Sequence, residues 1–325
     1  MMTTTLADAH SVFLDLETVD QGDIDLGPLL ESGTSWKLHR YTDPADVEDR
    51  IRDAHVVVSN KVVLDRQSIV SARRLGLICV AATGTNNVDL AAARAQGITV
   101  SNVTGYATAA VVQHVFGLVL ALTTRLPNYQ RAVAGGRWGN SRQFCLLDYP
   151  IRELGGLTLG IVGYGELGRG VAKVGEAFGM RVQISQRPGA PARPGRISLD
   201  DLLGEADVLS LHTPLADNTR NLIGARELAL MKPDAILINT ARGGIVDESS
   251  LAQALRKGHL GGAGVDVLAV EPPREGSPLL EPDIPNLIVT PHIAWASRQA
   301  RQRLLDEVTA NVRAFLEGNP RNRVA

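Results

Sequence analysis

The sequence predicts an α/β fold of two parallel sheets, in which a larger doubly wound domain is inserted in the chain of a smaller one. Three observations predict it. The length of 325 residues suits two domains better than one. Two successive series of short segments rich in Val and Ile alternate with helical stretches, as parallel strands and their crossover helices do. A last helical stretch follows the final apolar segment, with no strand after it.

The first series predicts a small domain. Strands are expected at residues 12–16, 56–59, 77–82 and 98–100, with helices at 44–53 and 89–95. A helix over residues 107–126, ending before Pro127, is expected to lead into the second series, and a loop is expected at 135–148. The alternation within the first series favours a flavodoxin-like α/β arrangement.

The second series has the pattern of a Rossmann-type domain. Its strands are expected at 157–162, 181–185, 208–211, 235–239, 262–267 and 287–290, and its helices at 166–179, 199–203, 225–231 and 248–257. The last helix begins near Ser297 and ends before Gly318. We expect it to pack on the first domain. The predicted domains are therefore 1–103 with 296–325, and 104–295.

Composition excludes several classes of protein. The net charge of −2 gives no reason to expect nucleic-acid or membrane binding. The two cysteines, Cys79 and Cys145, lie in no metal-binding pattern, so we expect no metal site, and free thiols fit a cytoplasmic location. The first ten residues resemble no signal peptide, and the longest apolar run, 115–122, is too short to span a bilayer.

A glycine motif follows the first strand of the second series. Gly163, Gly165 and Gly168, with Tyr164, Glu166 and Leu167 between them, form G-x-G-x-x-G. Such a match alone is weak because glycine is common, but here a strand precedes it and a helix follows. The glycines would provide a tight turn, close approach to a pyrophosphate and close helix packing. The helix N-terminus would then bind the phosphates. The alternative is a glycine-rich turn without a ligand.

The end of the next strand departs from the usual pattern for NAD. An acidic residue normally binds the ribose 2′-hydroxyl there, but this chain has Gln186 and Arg187. An arginine suits a 2′-phosphate, so NADPH is expected to serve at least as well as NADH. Alternatively, Arg187 is only a solvated loop residue.

Three polar residues follow strands of the second series. Arg242, Glu271 and His292 would all lie near the carboxyl ends of parallel strands, where ligands bind. Reducing a keto acid with a hydride needs a cation for the substrate, a proton donor, and a group that keeps the donor charged. Each residue alone has an ordinary structural explanation. Together, at three ends of one sheet, they favour catalysis.

At these residues the chain resembles the D-isomer-specific 2-hydroxyacid dehydrogenase family over nearly its whole length. Within the family it is similar to the glycerate dehydrogenase, or hydroxypyruvate reductase, branch. The resemblance is carried by the glycine motif and by four further segments, which are 209–215 (LSLHTPL), 238–244 (INTARGG), 271–273 (EPP) and 290–295 (TPHIAW). The segment 144–154 supports the placement in the branch less strongly.

The resemblance implies roles for individual residues. Arg242 would bind the substrate carboxylate and polarise its carbonyl, His292 would be the general acid or base, and Glu271 would hold the imidazole. The backbone amides of Thr83 and Gly84 would take the substrate carboxylate. Asp266 would contact the nicotinamide. The remaining implied cofactor contacts are Thr213, Pro214, Thr240 and Ala241. The family also implies a homodimer.

The sequence leaves the substrate open. Hydroxypyruvate and glyoxylate, giving D-glycerate and glycolate, are the expected substrates. A phosphoglycerate dehydrogenase-like enzyme and a non-catalytic dinucleotide-sensing regulator are the alternatives. The physiological direction of the reaction and the role of Trp138 also stay open.

Overall fold

The structure, a computed structural model, describes residues 9–186, 189, 191 and 193–325. The chain divides into two compact units. One is Met1–Ala107 with Ala296–Ala325, and the other is Thr108–Trp295. The first unit therefore extends past the boundary expected at residue 103, and its second segment begins at Ala296.

The first unit is built on a five-stranded parallel sheet. The strands are β1 (His10–Phe13), β2 (Ser35–Leu38), β3 (Val56–Ser59), β4 (Leu77–Val80) and β5 (Thr99–Ser101), and the helices are α1 (Gly27–Leu30), α2 (Val47–Ile51), α3 (Arg66–Ser71), α4 (Leu90–Ala95) and α11 (Arg298–Leu316). The strand order is β2-β1-β3-β4-β5. This is the order of flavodoxin-like folds, which confirms the predicted class.

Strand β2 was absent from the sequence prediction. It lies at the edge of the sheet and pairs only with β1. Its side chains alternate between exposed and partly buried, whereas β3 and β4 are buried throughout. An edge strand of this composition lacks the continuous apolar run that identifies a covered parallel strand. Strand β1 begins at His10, two positions before the predicted start.

Helix α11 packs against α1 and β4 in the first unit. Its N-cap is Ser297, whose side chain accepts a hydrogen bond from the amide of Ala300. The buried Asn311 donates to the carbonyl of Asn102 at 3.0 Å and lies 3.7 Å from Sγ of Cys79. Burial raises the pKa of the Cys79 thiol to about 12.

The second unit is built on a six-stranded parallel sheet with the order β11-β10-β9-β8-β6-β7. The strands are β6 (Thr158–Val162), β7 (Arg181–Ile184), β8 (Val208–Leu211), β9 (Ile236–Asn239), β10 (Gly262–Val265) and β11 (Leu287–Val289), and the helices are α5 (Thr108–Thr123), α6 (Leu126–Ala134), α7 (Glu166–Ala177), α8 (Leu199–Glu205), α9 (Ala225–Leu230) and α10 (Glu248–Arg256). The chain reverses its direction of winding between β6 and β8. Doubly wound sheets bind ligands at such a switch point, beyond the carboxyl ends of the strands.

The predicted single helix over 107–126 is wrong at its end. Helix α5 stops at Thr123, and α6 begins at Leu126 after Arg125 adopts a φ of 56°. Pro127 lies in the first turn of α6, where the missing amide hydrogen costs no helical bond. Among the described residues no single helix is long and apolar enough to cross a membrane. The pair α5 and α6 meets that criterion only when joined across its 60° bend.

Candidate active site

The glycine motif forms a tight connection between β6 and α7. Gly163 has a φ of 93°, and a Cβ there would lie 2.5 Å from the carbonyl oxygen of His212. A Cβ on Gly168 would lie 2.2 Å from the carbonyl oxygen of Gly163. Neither position accepts a side chain, so β6, the motif and the start of the β8 loop pack directly on one another.

Gly165 is different, because a Cβ there would meet nothing within 4 Å. It is the N-cap of α7, and the first bond of the helix runs from the amide of Arg169 to its carbonyl. The amides of the first turn therefore lack helical acceptors and present a partial positive charge. Open space in front of these amides suits a phosphate group. The side chain of Glu166, in the same turn, accepts a hydrogen bond from the hydroxyl of Thr108.

Two further buried polar atoms lie at neighbouring strand ends. Among the described residues, Nδ1 of His212 and Oγ1 of Thr240 are buried without a hydrogen-bond partner. They follow β8 and β9, and the backbone of His212 lies against Gly163 of the glycine motif. Buried polar groups normally have partners, so these atoms fit a polar ligand that lies across the strand ends. Together with the space at Gly165, they show that the residues present fit a dinucleotide.

The imidazole of His212 is held in place by Ser210, whose Oγ lies 2.8 Å from Nε2. Burial lowers the pKa of His212 to about 4. The ring is therefore neutral at pH 7. Thr213 and Pro214 follow directly, and the amide of Thr213 would be 2.9 Å from a Cβ on Gly163. The structure thus places Thr213, one of the two predicted contacts, beside the glycine turn.

At the end of β7 the predicted Gln186 has its side chain engaged locally. Its amide donates to the carbonyl of Pro191 and accepts from the backbone amide of Arg193 at 3.2 Å. These two bonds join Gln186 to residues five and seven positions later, and they need a group that both donates and accepts. Arg187 lies outside the described residues.

Sequence reasoning missed Arg196 in this region. Its guanidinium carbon lies 5.9 Å from the centroid of the Tyr164 ring, and its Nη1 donates to the carbonyl of Ser185 at 3.3 Å. Arg196 stands eleven positions after Ser185 in a segment rich in Pro and Gly. Nothing in the spacing of that segment pointed to it.

Arg242 follows β9 in a turn fastened by Asn239. The side chain of Asn239 accepts from the amide of Ala241 at 3.1 Å and donates to the carbonyl of Arg242 at 3.0 Å. The next residue, Gly243, is packed so closely that a Cβ would lie 1.8 Å from the carbonyl oxygen of Leu268. The turn that carries Arg242 therefore lies against the segment that follows β10.

Glu271 and His292 form the central pair of the site. Nδ1 of His292 lies 2.7 Å from Oε2 of Glu271, while Oε1 of Glu271 accepts from the amide of Leu268 at 2.8 Å. Both side chains are about a third exposed, at 29% and 33%. Because Nδ1 is engaged, Nε2 is the ring nitrogen that can serve a substrate. A cavity of about 410 Å³ lies beside the pair, and its apolar wall includes Leu268, Pro272, Pro273, Leu280, Val289 and Pro291.

The backbone of His292 is held in an uncommon conformation, with a φ of 55°. Asp266, only 1% exposed, accepts hydrogen bonds from the amides of Ile293 and Ala294 at 2.9 and 2.8 Å, and its own carbonyl accepts from the amide of His292 at 2.8 Å. The indole of Trp295 donates to the carbonyl of His292 at 3.1 Å. Asp266 was predicted to contact the nicotinamide, and here its carboxylate supports the turn that carries His292.

His114 joins this network from α5. Its Nε2 lies 3.0 Å from Oγ1 of Thr290, and the Thr290 hydroxyl donates to Asp266. The sequence predicted no role for His114. The structure connects it to the turn of His292 through two side chains.

The predicted substrate loop belongs to the first unit. The hydroxyl of Thr83 donates to the carbonyl of Val103 at 2.8 Å, and Asn102 donates to the carbonyl of Thr83 at 2.7 Å. These bonds fix the start of the loop. The amides of Thr83 and Gly84 have no acceptor within the part of the chain that the structure describes.

Comparisons with known proteins agree with this site. Residues 116–294, more than half of the chain, match the NAD binding domain of the D-isomer specific 2-hydroxyacid dehydrogenases. The chain belongs to this family. It is therefore a nicotinamide-dependent D-2-hydroxyacid dehydrogenase, and the family assignment made from the sequence is confirmed.

Three relatives of this dehydrogenase are informative. A glycerate dehydrogenase of Methylorubrum extorquens is 46% identical over 96% of this chain and 98% of its own. A solved structure from Thermus thermophilus has a TM-score of 0.86 and 36% identity, covering 97% of this chain and all of that one. An NADPH-dependent glyoxylate/hydroxypyruvate reductase of Sinorhizobium meliloti, solved with citrate, has a TM-score of 0.81 and 28% identity, covering 98% of both chains.

Proposed function

We propose that this dehydrogenase reduces hydroxypyruvate to D-glycerate and glyoxylate to glycolate. The observation that carries the proposal is the pair formed by His292 and Glu271. A carboxylate 2.7 Å from Nδ1 orients the imidazole and leaves Nε2 for the substrate carbonyl. The names of the similar glycerate dehydrogenase and glyoxylate/hydroxypyruvate reductase support these substrates.

Each residue has a separate task in the proposed reaction. The bound nicotinamide supplies the hydride. Arg242 binds the carboxylate of the keto acid and polarises its carbonyl, since a guanidinium can form two parallel hydrogen bonds. His292 donates a proton from Nε2 to the developing alkoxide, and Glu271 balances the charge that the imidazolium carries before this transfer. In the reverse direction His292 accepts the proton. The amides of Thr83 and Gly84 are proposed to bind the carboxylate as well.

The dinucleotide is proposed to bind along the strand ends. The amides at the start of α7 would take the pyrophosphate, with Gly165 allowing close approach. The further contacts are proposed at Thr213, Pro214, Thr240, Ala241 and Asp266. NADPH is proposed to serve at least as well as NADH, because the end of β7 carries Ser185 and Gln186 and no carboxylate that would repel a 2′-phosphate.

A steady-state screen of the purified protein tests the function. Hydroxypyruvate, glyoxylate, pyruvate, 2-ketobutyrate and 3-phosphohydroxypyruvate are each supplied with NADH and with NADPH. We expect the highest kcat/KM for hydroxypyruvate or glyoxylate. A preference for 3-phosphohydroxypyruvate would favour the phosphoglycerate dehydrogenase-like alternative. Dinucleotide binding without turnover of any keto acid would favour the regulator.

We propose that the chain forms a homodimer through α6 and the loop that follows. This segment carries large apolar side chains that are at least half exposed, which are Leu126, Val133, Trp138, Phe144, Leu147 and Ile151. Large apolar side chains exposed in one segment favour an interaction site there. Light scattering on the eluting protein measures the mass, and Phe144→Asp combined with Leu147→Asp is expected to halve it. A monomeric parent protein would contradict the proposal.

A further inference from the structure

Arg196 is fixed beside the carboxyl end of β7 by backbone pairing. Ile197 forms a parallel bridge with Ser185. The amide of Gln186 donates to the carbonyl of Ile197 at 2.6 Å, and the amide of Ile197 donates to the carbonyl of Ile184 at 3.1 Å. These bonds add a short extension to the sheet next to β7. Residue 196 therefore has a defined position next to the end of β7.

The side chain of Arg196 is directed over the glycine motif. Its guanidinium lies over the ring of Tyr164, with Cζ 5.9 Å from the centroid, and one N–H donates to the carbonyl of Ser185. A cation over an aromatic face is attracted by the ring quadrupole. In the described part of the chain no carboxylate lies within 4 Å of this guanidinium. Of its five N–H donors, the structure commits one, to Ser185.

The location decides what this cation can meet. In a doubly wound dinucleotide-binding domain, the adenosine ribose lies beyond the end of the second strand, here β7. Gln186, which stands where the ribose-binding acid usually lies, has its side chain hydrogen-bonded to the backbone of Pro191 and Arg193. A partly buried arginine thus stands beside the end of β7, and no carboxylate among the described residues lies within 4 Å of its guanidinium.

We propose that Arg196, held on the ring of Tyr164, binds the 2′-phosphate of NADPH and is a specificity-determining residue for the cofactor. The inference rests on the proposed use of NADPH and adds the residue that recognises it. The ring and the Ser185 carbonyl fix the plane of the guanidinium, so that its other N–H groups can meet two phosphate oxygens side by side. NADH lacks the phosphate, so it gains nothing from this arginine.

Binding of adenosine fragments tests the proposal without any keto acid. Isothermal titration calorimetry gives the Kd of adenosine 2′,5′-bisphosphate and of 5′-AMP, which differ by the 2′-phosphate. The parent protein is expected to bind the bisphosphate more tightly. Arg196→Ala should raise the Kd of the bisphosphate about ten- to hundredfold, the usual effect of losing a charged hydrogen bond, and leave that of 5′-AMP nearly unchanged.

Variants of the ring test the aromatic platform. Tyr164→Phe keeps the face and should keep the preference for the bisphosphate. Tyr164→Leu removes it and should weaken bisphosphate binding by about two- to fivefold. Arg181→Ala is the matched control, because Arg181 lies at the opposite end of β7 and donates to Thr158. It should change neither Kd.

Several results would overturn the proposal. One such result is equal affinity of the parent protein for both fragments, and another is an unchanged bisphosphate Kd in Arg196→Ala. A third is a loss of bisphosphate affinity in Arg193→Ala but not in Arg196→Ala. Unchanged 5′-AMP binding shows that a variant is folded, and a variant that loses both fragments equally also contradicts a specific role. Since no keto acid is present, a failure of the proposed substrates in the steady-state screen leaves this result standing.

Discussion

Replacing Glu271 by Gln removes one charge from the central pair and almost no volume. The amide oxygen can still accept from the amide of Leu268, as Oε1 does now. The amide nitrogen then faces Nδ1 of His292 and can only donate to it. Nδ1 would then have to accept that hydrogen bond and could no longer donate one to a carboxylate. The positive charge that the imidazole carries when it donates its proton would lose its counter-charge, so reduction of the keto acid should slow.

The structure sets the size of this effect. A hydrogen bond to a charged group contributes about 1.5–3 kcal/mol. The two side chains are 29% and 33% exposed, so water screens part of their attraction and the lower half of the range applies. About 1.5–2 kcal/mol corresponds to a loss of about 10- to 30-fold in kcat/KM. His292→Ala removes the proton donor itself and should cost about 10²–10⁴-fold.

A double-mutant cycle separates this mechanism from a general disturbance. The kcat/KM for hydroxypyruvate is measured for each single variant and for the double variant, and titration with the dinucleotide checks that cofactor binding is retained. If Glu271 acts through His292, adding Glu271→Gln to His292→Ala should have little further effect. Glu275→Gln removes the same charge from an exposed neighbour and should leave the rate unchanged. Additive losses in the cycle, or a full rate in Glu271→Gln, would refute the reasoning.

Three further outcomes are expected. Arg242→Lys should lower kcat/KM for keto acids, because an ammonium cannot form the two parallel hydrogen bonds of a guanidinium, while dinucleotide affinity stays within about twofold. An Arg242→Ala protein with unchanged kcat/KM would contradict the assignment of Arg242 to the substrate. Gln186→Asp combined with Arg187→Ala should shift the ratio of the kcat/KM values for NADPH and NADH toward NADH, because the new carboxylate repels the 2′-phosphate and a cation is lost. If the parent enzyme already prefers NADH and the double variant leaves this ratio unchanged, the prediction is contradicted. Burial lowers the pKa of His212 to about 4, so below about pH 6.5 the unfolded chain binds a proton at this residue and the folded chain does not. The contribution of the neutral ring to the free energy of unfolding should therefore be full above about pH 6.5 and decline as the pH falls toward 4. Denaturant titrations should show a smaller decline over this range in His212→Gln.

The sequence predicted the second unit closely, because four of its six strands, β6, β8, β9 and β10, are buried along their whole length. The apolar segments at 208–211 and 235–239, for example, correspond to β8 and β9 within one residue at each end. The same signal failed at β2, where Trp36 and Leu38 alternate with exposed side chains at a sheet edge. The helix predicted to end before Pro127 was wrong at that point, because a proline is equally compatible with the end of one helix and the first turn of the next.

The candidate site was predictable where a single residue follows a strand end, and not where contacts join distant segments. Arg242, Glu271 and His292 could be placed from the positions of the strands alone. The support of His292 by His114 and Thr290 depends on the packing of α5 against the sheet, over 176 positions of chain. The position of Arg196 depends on the pairing of Ile197 with Ser185, twelve positions earlier in the chain. Local sequence patterns carry no information about such contacts.

The missing side chain at Gly243 has a consequence for engineering this enzyme. Since the backbone of Leu268 occupies the space where a Cβ would be, the turn bearing Arg242 and the segment bearing Glu271 are built as one interlocking piece. Chimeras that exchange only one of the two stretches, 239–243 or 266–271, with another family member would create a mismatch at this joint. Both stretches have to be grafted together, and randomised libraries that seek new substrates should leave them intact.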